Sequence, residues 1–305
     1  MNLRTLALSV LGFLVAGAPS SKLLAQFPNL ANRSDVGIFV GQDSDDFVTA
    51  LDDLFVASTI GDLVELDNRN SPFQFFGPNI DDPFPMQVGG LARAQAKFGQ
   101  LRTYAEGFVV NAQTSFDSGI PFVTDDGFDD EGFPDFISVD AFASFTDRLQ
   151  FGGTATGYRS AYKFRVEGFN SGDGTFTALN VTNSGVSDLF FFDQPGAFSE
   201  VVTTQSVFVA NDQQLITASL QSTFQPFLQS GSEFAGIASS FQTLDLVGIE
   251  LRDEVTNEVI LDVSVTNSTG SFTVPVIAIP EPSGLALVGT GLCLLTVSRR
   301  RRFRS

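Results

Sequence analysis

The chain has 305 residues, of which 35 are acidic and 17 basic, with no histidine, no tryptophan, three tyrosines, one cysteine and 33 phenylalanines. The absence of histidine excludes Ser-His-Asp and Cys-His catalysis, histidine-bound metals and the usual general base near neutral pH. One cysteine excludes an internal disulfide, so stability has to come from burial, for which phenylalanine supplies the area and points to a core more than to sugar stacking.

Charge divides sharply along the chain. All 35 acids lie between residues 27 and 282, whereas seven of the 17 basic residues lie in the two terminal segments. Without those seven and Glu281, the body holds 10 basic and 34 acidic residues, a net charge of −24. Such a body stays soluble by self-repulsion and repels nucleic acid and anionic lipid.

At the N-terminus, Asn2-Leu3-Arg4 is a short positive region and Leu6 to Val15 is apolar. Leu23-Leu24-Ala25 before Gln26 has the pattern of a cleavage site, and Ala16-Gly17-Ala18 is a second candidate that Pro19 disfavours. This order reads as a signal peptide over 1–25, taken up by the Sec translocon and cut by signal peptidase. Removing both ends leaves about 250 residues, room for one large β domain or two small ones.

Residues 26–85 form an N-terminal segment. Asp43-Ser44-Asp45-Asp46 followed by Phe47, Leu51, Leu54 and Phe55 has a capping group and helical spacing, which predicts a short helix over 45–57. The β-branched Val56, Thr59 and Ile60 make a strand the alternative. Asn68 to Pro85 contains Pro72, Pro78, Pro83 and Pro85 and reads as a long loop.

From residue 86 the period becomes two, and 86–275 is the expected β domain. Ala92, Ala94 and Ala96 alternate with Arg93, Gln95 and Lys97, and Val139, Ala141, Ala143 and Phe145 alternate with Asp140, Ser144 and Thr146. Tyr162, Phe164 and Val166 oppose Lys163, Arg165 and Glu167, while Ile216, Ala218, Leu220 and Phe224 oppose Thr217, Ser219, Gln221 and Thr223. A last strand places Val259, Leu261, Val263 and Val265 against Asp262, Ser264 and Thr266.

Turn signals at Gly152-Gly153, Asn170 to Gly174, Asn183-Ser184-Gly185 and Gln194-Pro195-Gly196 punctuate these runs. Near Gly248 the apolar phase moves from Leu244 and Leu246 to Ile249 and Leu251, which predicts a β-bulge. Half-polar strands with little helix between them indicate an all-β fold, an antiparallel β-sandwich of jelly-roll type.

The acidic stretch 124–135 is the best candidate site. Calcium takes six to eight oxygens, and Asp125, Asp126, Asp129, Asp130, Glu131 and Asp135 lie close together with Gly127 and Gly132 to bend the chain. The order of an EF-hand is not met, since Asp130 stands where the sixth-position glycine belongs and Phe136 where the twelfth-position glutamate belongs. An acidic solvated loop is the plainer reading. Asp43, Asp45 and Asp46 form a lesser cluster. Lys97 and Lys163 take solvent-facing strand positions, and no glycine-rich phosphate loop precedes a helix, so no catalytic residue is nominated and no enzyme is expected.

At the C-terminus, Pro280-Glu281-Pro282 precedes sixteen uncharged residues, Ser283 to Ser298, followed by Arg299, Arg300, Arg301, Arg302 and Arg304. As a helix the span covers roughly 24 Å, short for a bilayer core of about 30 Å unless the flanking arginines reach to the headgroups. Arginines at its end are what a cytoplasmic flank carries, which puts the body on the other side of the membrane. The succession over 279–305 resembles the PEP-CTERM sorting segment of exported bacterial proteins, also known as an ice-binding protein C-terminal domain. The resemblance implies a single transmembrane helix and recognition by an exosortase, a membrane-embedded cysteine protease-transpeptidase that cuts near Pro280-Glu281-Pro282.

The expectation is therefore an exported protein, anchored in the membrane through its C-terminus before processing and afterwards at the cell surface or in the extracellular matrix, with a structural or adhesive role. The alternatives are a calcium- or polysaccharide-binding module and a secreted hydrolase. Exosortase, membrane and extracellular polysaccharide are the implied partners, and nucleic acid is not one. Ice binding has no support, because Thr154 and Thr156 and the pair Thr203-Thr204 are isolated rather than arrayed.

Overall fold

The computed structural model describes residues 31–44, 47–60, 63–75, 86–112, 136–152, 157–172, 174–209, 212–228, 231–268, 270 and 272–277. Sixteen strands lie among them. In chain order they are β1 (Ala31–Ser44), β2 (Phe47–Ile60), β3 (Leu63–Asp67), β4 (Phe73–Phe75), β5 (Met86–Lys97), β6 (Gln100–Val110), β7 (Phe136–Gly152) and β8 (Tyr158–Ser171), then β9 (Thr175–Asn183), β10 (Val186–Phe192), β11 (Gly196–Thr203), β12 (Val207–Phe208), β13 (Gln213–Phe224), β14 (Phe234–Asp253), β15 (Ser264–Thr266) and β16 (Thr273–Val274).

They form two antiparallel sheets. Sheet A runs β10-β9-β13-β7-β1-β2, with β15 on β7 and β16 on β15; sheet B runs β11-β8-β14-β6-β5-β3, with β12 on β8 and β4 on β5. The strands of 31–75 pair directly with later ones: β1 with β7, and β3 and β4 with β5.

The period-two pattern explains how the sheets meet. Val139, Ala141, Ala143 and Phe145 from β7, and Ile216, Ala218, Leu220 and Phe224 from β13, are all fully buried, and they face Leu101, Ala105, Tyr162, Phe164 and Val166 of sheet B. Small residues lie opposite large ones. A Cβ on Gly107 would sit 2.0 Å from the Phe224 ring, and one on Gly90 2.9 Å from Val139 Cγ2, so the close approach of the sheets depends on those glycines. A few hydrogen bonds cross the interior. Thr103 Oγ1 and Ser222 Oγ are 2.7 Å apart, the Tyr162 hydroxyl donates to Gln214 Oε1 at 2.7 Å, and Asn170 Nδ2 donates to the Phe192 carbonyl at 2.6 Å.

The expected bulge is present: the pairing of β14 with β8 slips between Leu246 and Gly248, which keeps Leu244, Leu246, Ile249 and Leu251 all on the buried face. Of the turn signals, Ser184-Gly185 closes the β9–β10 hairpin, with φ of 47° and 88° as a two-residue type I′ turn requires. The signals at 170–174 and 194–196 instead carry the chain from one sheet to the other.

Three expectations are corrected. The helix over 45–57 is strand β2, because pairing with β1 overrides the local capping signal. The proline-rich loop holds the short strand β4 on β5, where Pro72 precedes the paired residues rather than interrupting them. The last strand is shorter than its alternation suggests: after a bridge between Arg252 and Val259 the chain leaves sheet B for sheet A, so Leu261 is 61% exposed and only Ser264–Thr266 pairs as β15. Of the phenylalanines among the described residues, Phe145, Phe151, Phe164, Phe192 and Phe224 are in the core, while Phe169, Phe191, Phe208, Phe227 and Phe272 are exposed.

The final described residues join both sheets. β16 pairs with β15, β15 with β7, and the Ile249 amide and carbonyl then bond Pro275 and Ile277 at 2.9 Å each in a parallel bridge beside β14.

Two turn glycines provide a test. Gly185 has φ 88° with open space around it, whereas Gly174 has φ 71° and a Cβ there would meet the Gln225 carbonyl oxygen at 2.0 Å. Gly185→Ala is expected to cost about 1 kcal/mol in urea unfolding from backbone strain alone, and Gly174→Ala about 3 kcal/mol because overpacking adds to that strain. Equal losses would contradict the packing of the β8–β9 crossing against residue 225.

Candidate functional site

The outward-facing residues of sheet B gather most of the positive charge that the body possesses. Arg93 and Lys97 on β5, Arg102 on β6, Arg159, Lys163 and Arg165 on β8, and Arg252 on β14 all alternate with buried core residues and so point away from the sandwich. Arg69, in the turn after β3, reaches over the same face to Glu106. Only Arg33 and Arg148, of the ten basic residues of the body, lie on sheet A.

The face has two ends with different electrostatics. Beside β3 two arginines meet acids: Arg69 pairs with Asp67 at 2.8 Å and Glu106 at 3.1 Å, and Arg93 with Glu65 at 2.7 Å. The hydrogen bond from Arg69 holds the Asp67 carboxyl below the ordinary carboxylate range. Burial, and then the hydrogen bond to Glu106, push the Tyr104 hydroxyl up to about 12.

Around β8 the balance is different. Arg252 pairs with Glu250. Lys97, Arg102, Arg159, Lys163 and Arg165 form no ion pair with any described residue, and Arg102 Nε is buried without a hydrogen-bond partner among them. The register places Arg159 between Phe208 and Arg252, Lys163 between Thr203 and Gly248, and Arg165 between Val201 and Asp245. Asp245 is occupied by Gln100, whose Nε2 donates at 3.1 Å, and Glu167 accepts from Ser199 at 3.3 Å. Phe208 and Val201 are 43% and 56% exposed, so an apolar margin runs beside the cations. The arrangement can hold an extended anion by charge and shape, and it contains no nucleophile with an adjacent base.

Sheet A carries a different polar feature on its outer face. Asp140 of β7 is opposite Thr223 of β13 and is only 5% exposed. It accepts hydrogen bonds from Ser138 Oγ, from Thr223 Oγ1 at 2.5 Å and from Gln221 Nε2 at 3.1 Å. Sequence alternation gave Asp140, Gln221 and Thr223 a solvated face, yet all three are buried, as is Ser138. Burial raises the Asp140 pKa above its ordinary value, and the three donors offset part of the effect.

The residues nominated for calcium, Asp125, Asp126, Asp129, Asp130, Glu131 and Asp135, lie outside the described residues, as do Asp45, Asp46, the leader and the sorting motif with Pro280, Glu281, Pro282 and Arg299 to Arg302. Among the described residues no group of three or more acidic side chains is placed to hold a metal ion, and no helix is long and apolar enough to cross a membrane. Sequence reading placed Arg93, Lys97, Lys163 and Arg165 on the outer sides of their strands but missed that these strands share one sheet face. The alternation carries the facing of each residue, whereas the grouping depends on which strands are neighbours.

No family model matches the chain and no curated protein matches it. Among solved structures it is similar to a PA14 sugar-binding domain from an RTX adhesin, with 11% identity and a TM-score of 0.18 over 81% of this chain and 99% of that one.

Asp140 gives a pH signature. Because its native pKa is raised above the unfolded value of about 3.9, the stability linked to it is complete below that pH and is lost as pH rises through the native value. The melting temperature of the native chain is expected to fall relative to that of Asp140→Asn as pH rises above about 4, the charge on the rest of the body being common to both. Parallel curves above that pH would show that Asp140 is not held in a desolvated site.

Proposed function

We propose that this chain is an exported protein, sorted by an exosortase and held at the cell surface or in the extracellular matrix, where the sandwich has a structural or adhesive role and no catalytic one. The observation that carries the reading is the succession of Pro280-Glu281-Pro282, an uncharged span and the Arg299 to Arg302 cluster, together with the leader at the opposite end. The positive cluster belongs on the cytoplasmic side, and the acidic body on the other. A net charge of −24 keeps that body soluble once released into an aqueous exterior.

The fold supports a displayed role physically. An antiparallel sandwich, jelly-roll-like in the way its chain passes between the sheets, needs no cofactor or disulfide and leaves broad outer faces available to polymers or neighbouring cells. A second reading, a binding module for extracellular polysaccharide, is favoured by the cations of β8 that find no acid among the described residues.

Mass spectrometry of the protein recovered from the producing cell's surface is expected to give a C-terminus near Pro280 to Pro282 and no peptide that carries Arg304-Ser305. A surface protein with an intact Arg304-Ser305 end would refute exosortase processing and leave a plain membrane anchor. Retention of the whole chain in the cytoplasm would refute export itself.

A further inference from the structure

We propose that the outer face of β8, through Arg159, Lys163 and Arg165, docks a linear carboxylate-bearing polysaccharide. The inference deepens the surface-display reading and rests on it for the place where the polymer is met.

Linear order is the first argument. Alternate positions of a strand are about 6.6 Å apart, so the three β8 cations span about 20 Å in one row, a shape suited to an extended polymer and unsuited to a compact ligand. Charge complementarity is the second. A body with 34 acids pairs Arg69 and Arg93 at the β3 end of the same sheet and leaves Arg159, Lys163 and Arg165 of β8 without an ion pair among the described residues. Arg159 is the cross-strand neighbour of Arg252, whose charge Glu250 already meets, so of the two it is Arg159 that is left for a ligand. The exposed Phe208, Val201 and Thr203 side chains supply C–H and hydroxyl contacts along the margin, as a sugar ring requires.

The density of charge separates the candidate polymers. Duplex DNA carries one negative charge per about 1.7 Å of axis, which the surrounding acidic body repels over more than the width of the stripe. A chain with one carboxylate per sugar presents far fewer charges. At physiological ionic strength the screening length is about 8 Å, so the local sign of the stripe governs a contact made on it.

The test uses the purified full-length protein with polygalacturonate, neutral dextran and duplex DNA as probes. Polygalacturonate is expected to bind and dextran not to, with affinity falling about tenfold or more between 50 and 300 mM salt. The triple variant Arg159→Gln, Lys163→Gln, Arg165→Gln is expected to lose about tenfold or more, while the double variant Arg159→Lys, Arg165→Lys keeps most of the binding because the charges remain. The salt dependence of the unmutated protein stands whether or not the triple variant folds.

Absence of polygalacturonate binding at 50 mM salt overturns the proposal, as does a folded triple variant that binds unchanged. Tighter binding to duplex DNA assigns the stripe to nucleic acid instead. Self-association that the triple variant abolishes, without polymer binding, assigns it to a second copy of the chain. Failure of any of these leaves the mature C-terminus found on cells untouched, so the two readings fail separately.

Discussion

The inner faces of the two sheets have to be buried against each other because no disulfide ties them together: Cys293, the one cysteine, lies in the C-terminal span. That constraint accounts for much of the local sequence. Alanine and glycine on β5 and β6 let the sheets approach, and Phe145 and Phe224 fill the space that remains. The interior hydrogen bonds at Ser222, Gln214 and Asn170 satisfy polar groups that the packing would otherwise strand, so they preserve the fold more than they drive it. The bulge beside Gly248 serves the same end by returning Ile249 and Leu251 to the buried side.

The outer faces are free of that demand, and they diverge. Sheet A draws Asp140 into a buried ring of donors, whereas sheet B spreads cations across adjacent strands. In a strongly acidic chain, eight of ten body cations on one face is an arrangement that composition alone does not disclose, since a net charge says nothing of where its minority sign is placed. Strand order creates it: β5, β6, β14 and β8 are neighbours in sheet B although 148 positions separate Lys97 from Asp245.

Much of the body's fold is legible in its sequence, because one buried face and one wet face impose a period of two that survives without any structure. The facing of Tyr162, Phe164 and Val166, the Ser184-Gly185 hairpin and the phase shift at Gly248 all follow from it. What resists is whatever depends on distant partners. β2 has a helical signal that pairing with β1 overrides, Leu261 alternates correctly on a segment that leaves its sheet, and Gln221 and Thr223 look solvated although they are covered. The cationic stripe belongs to the same class, being made of correct local assignments whose sum is a matter of register.

The last described residues bear on how the body withstands traction. Residues 264–277 reach β7 of sheet A through β15 and β16, and then bond Ile249 of sheet B with both its amide and its carbonyl engaged. A force entering at Ile277, the side from which an anchored tail would pull, is therefore met first by β14 and then by β7. Load divides between the two sheets, and neither can be peeled away as a lone edge.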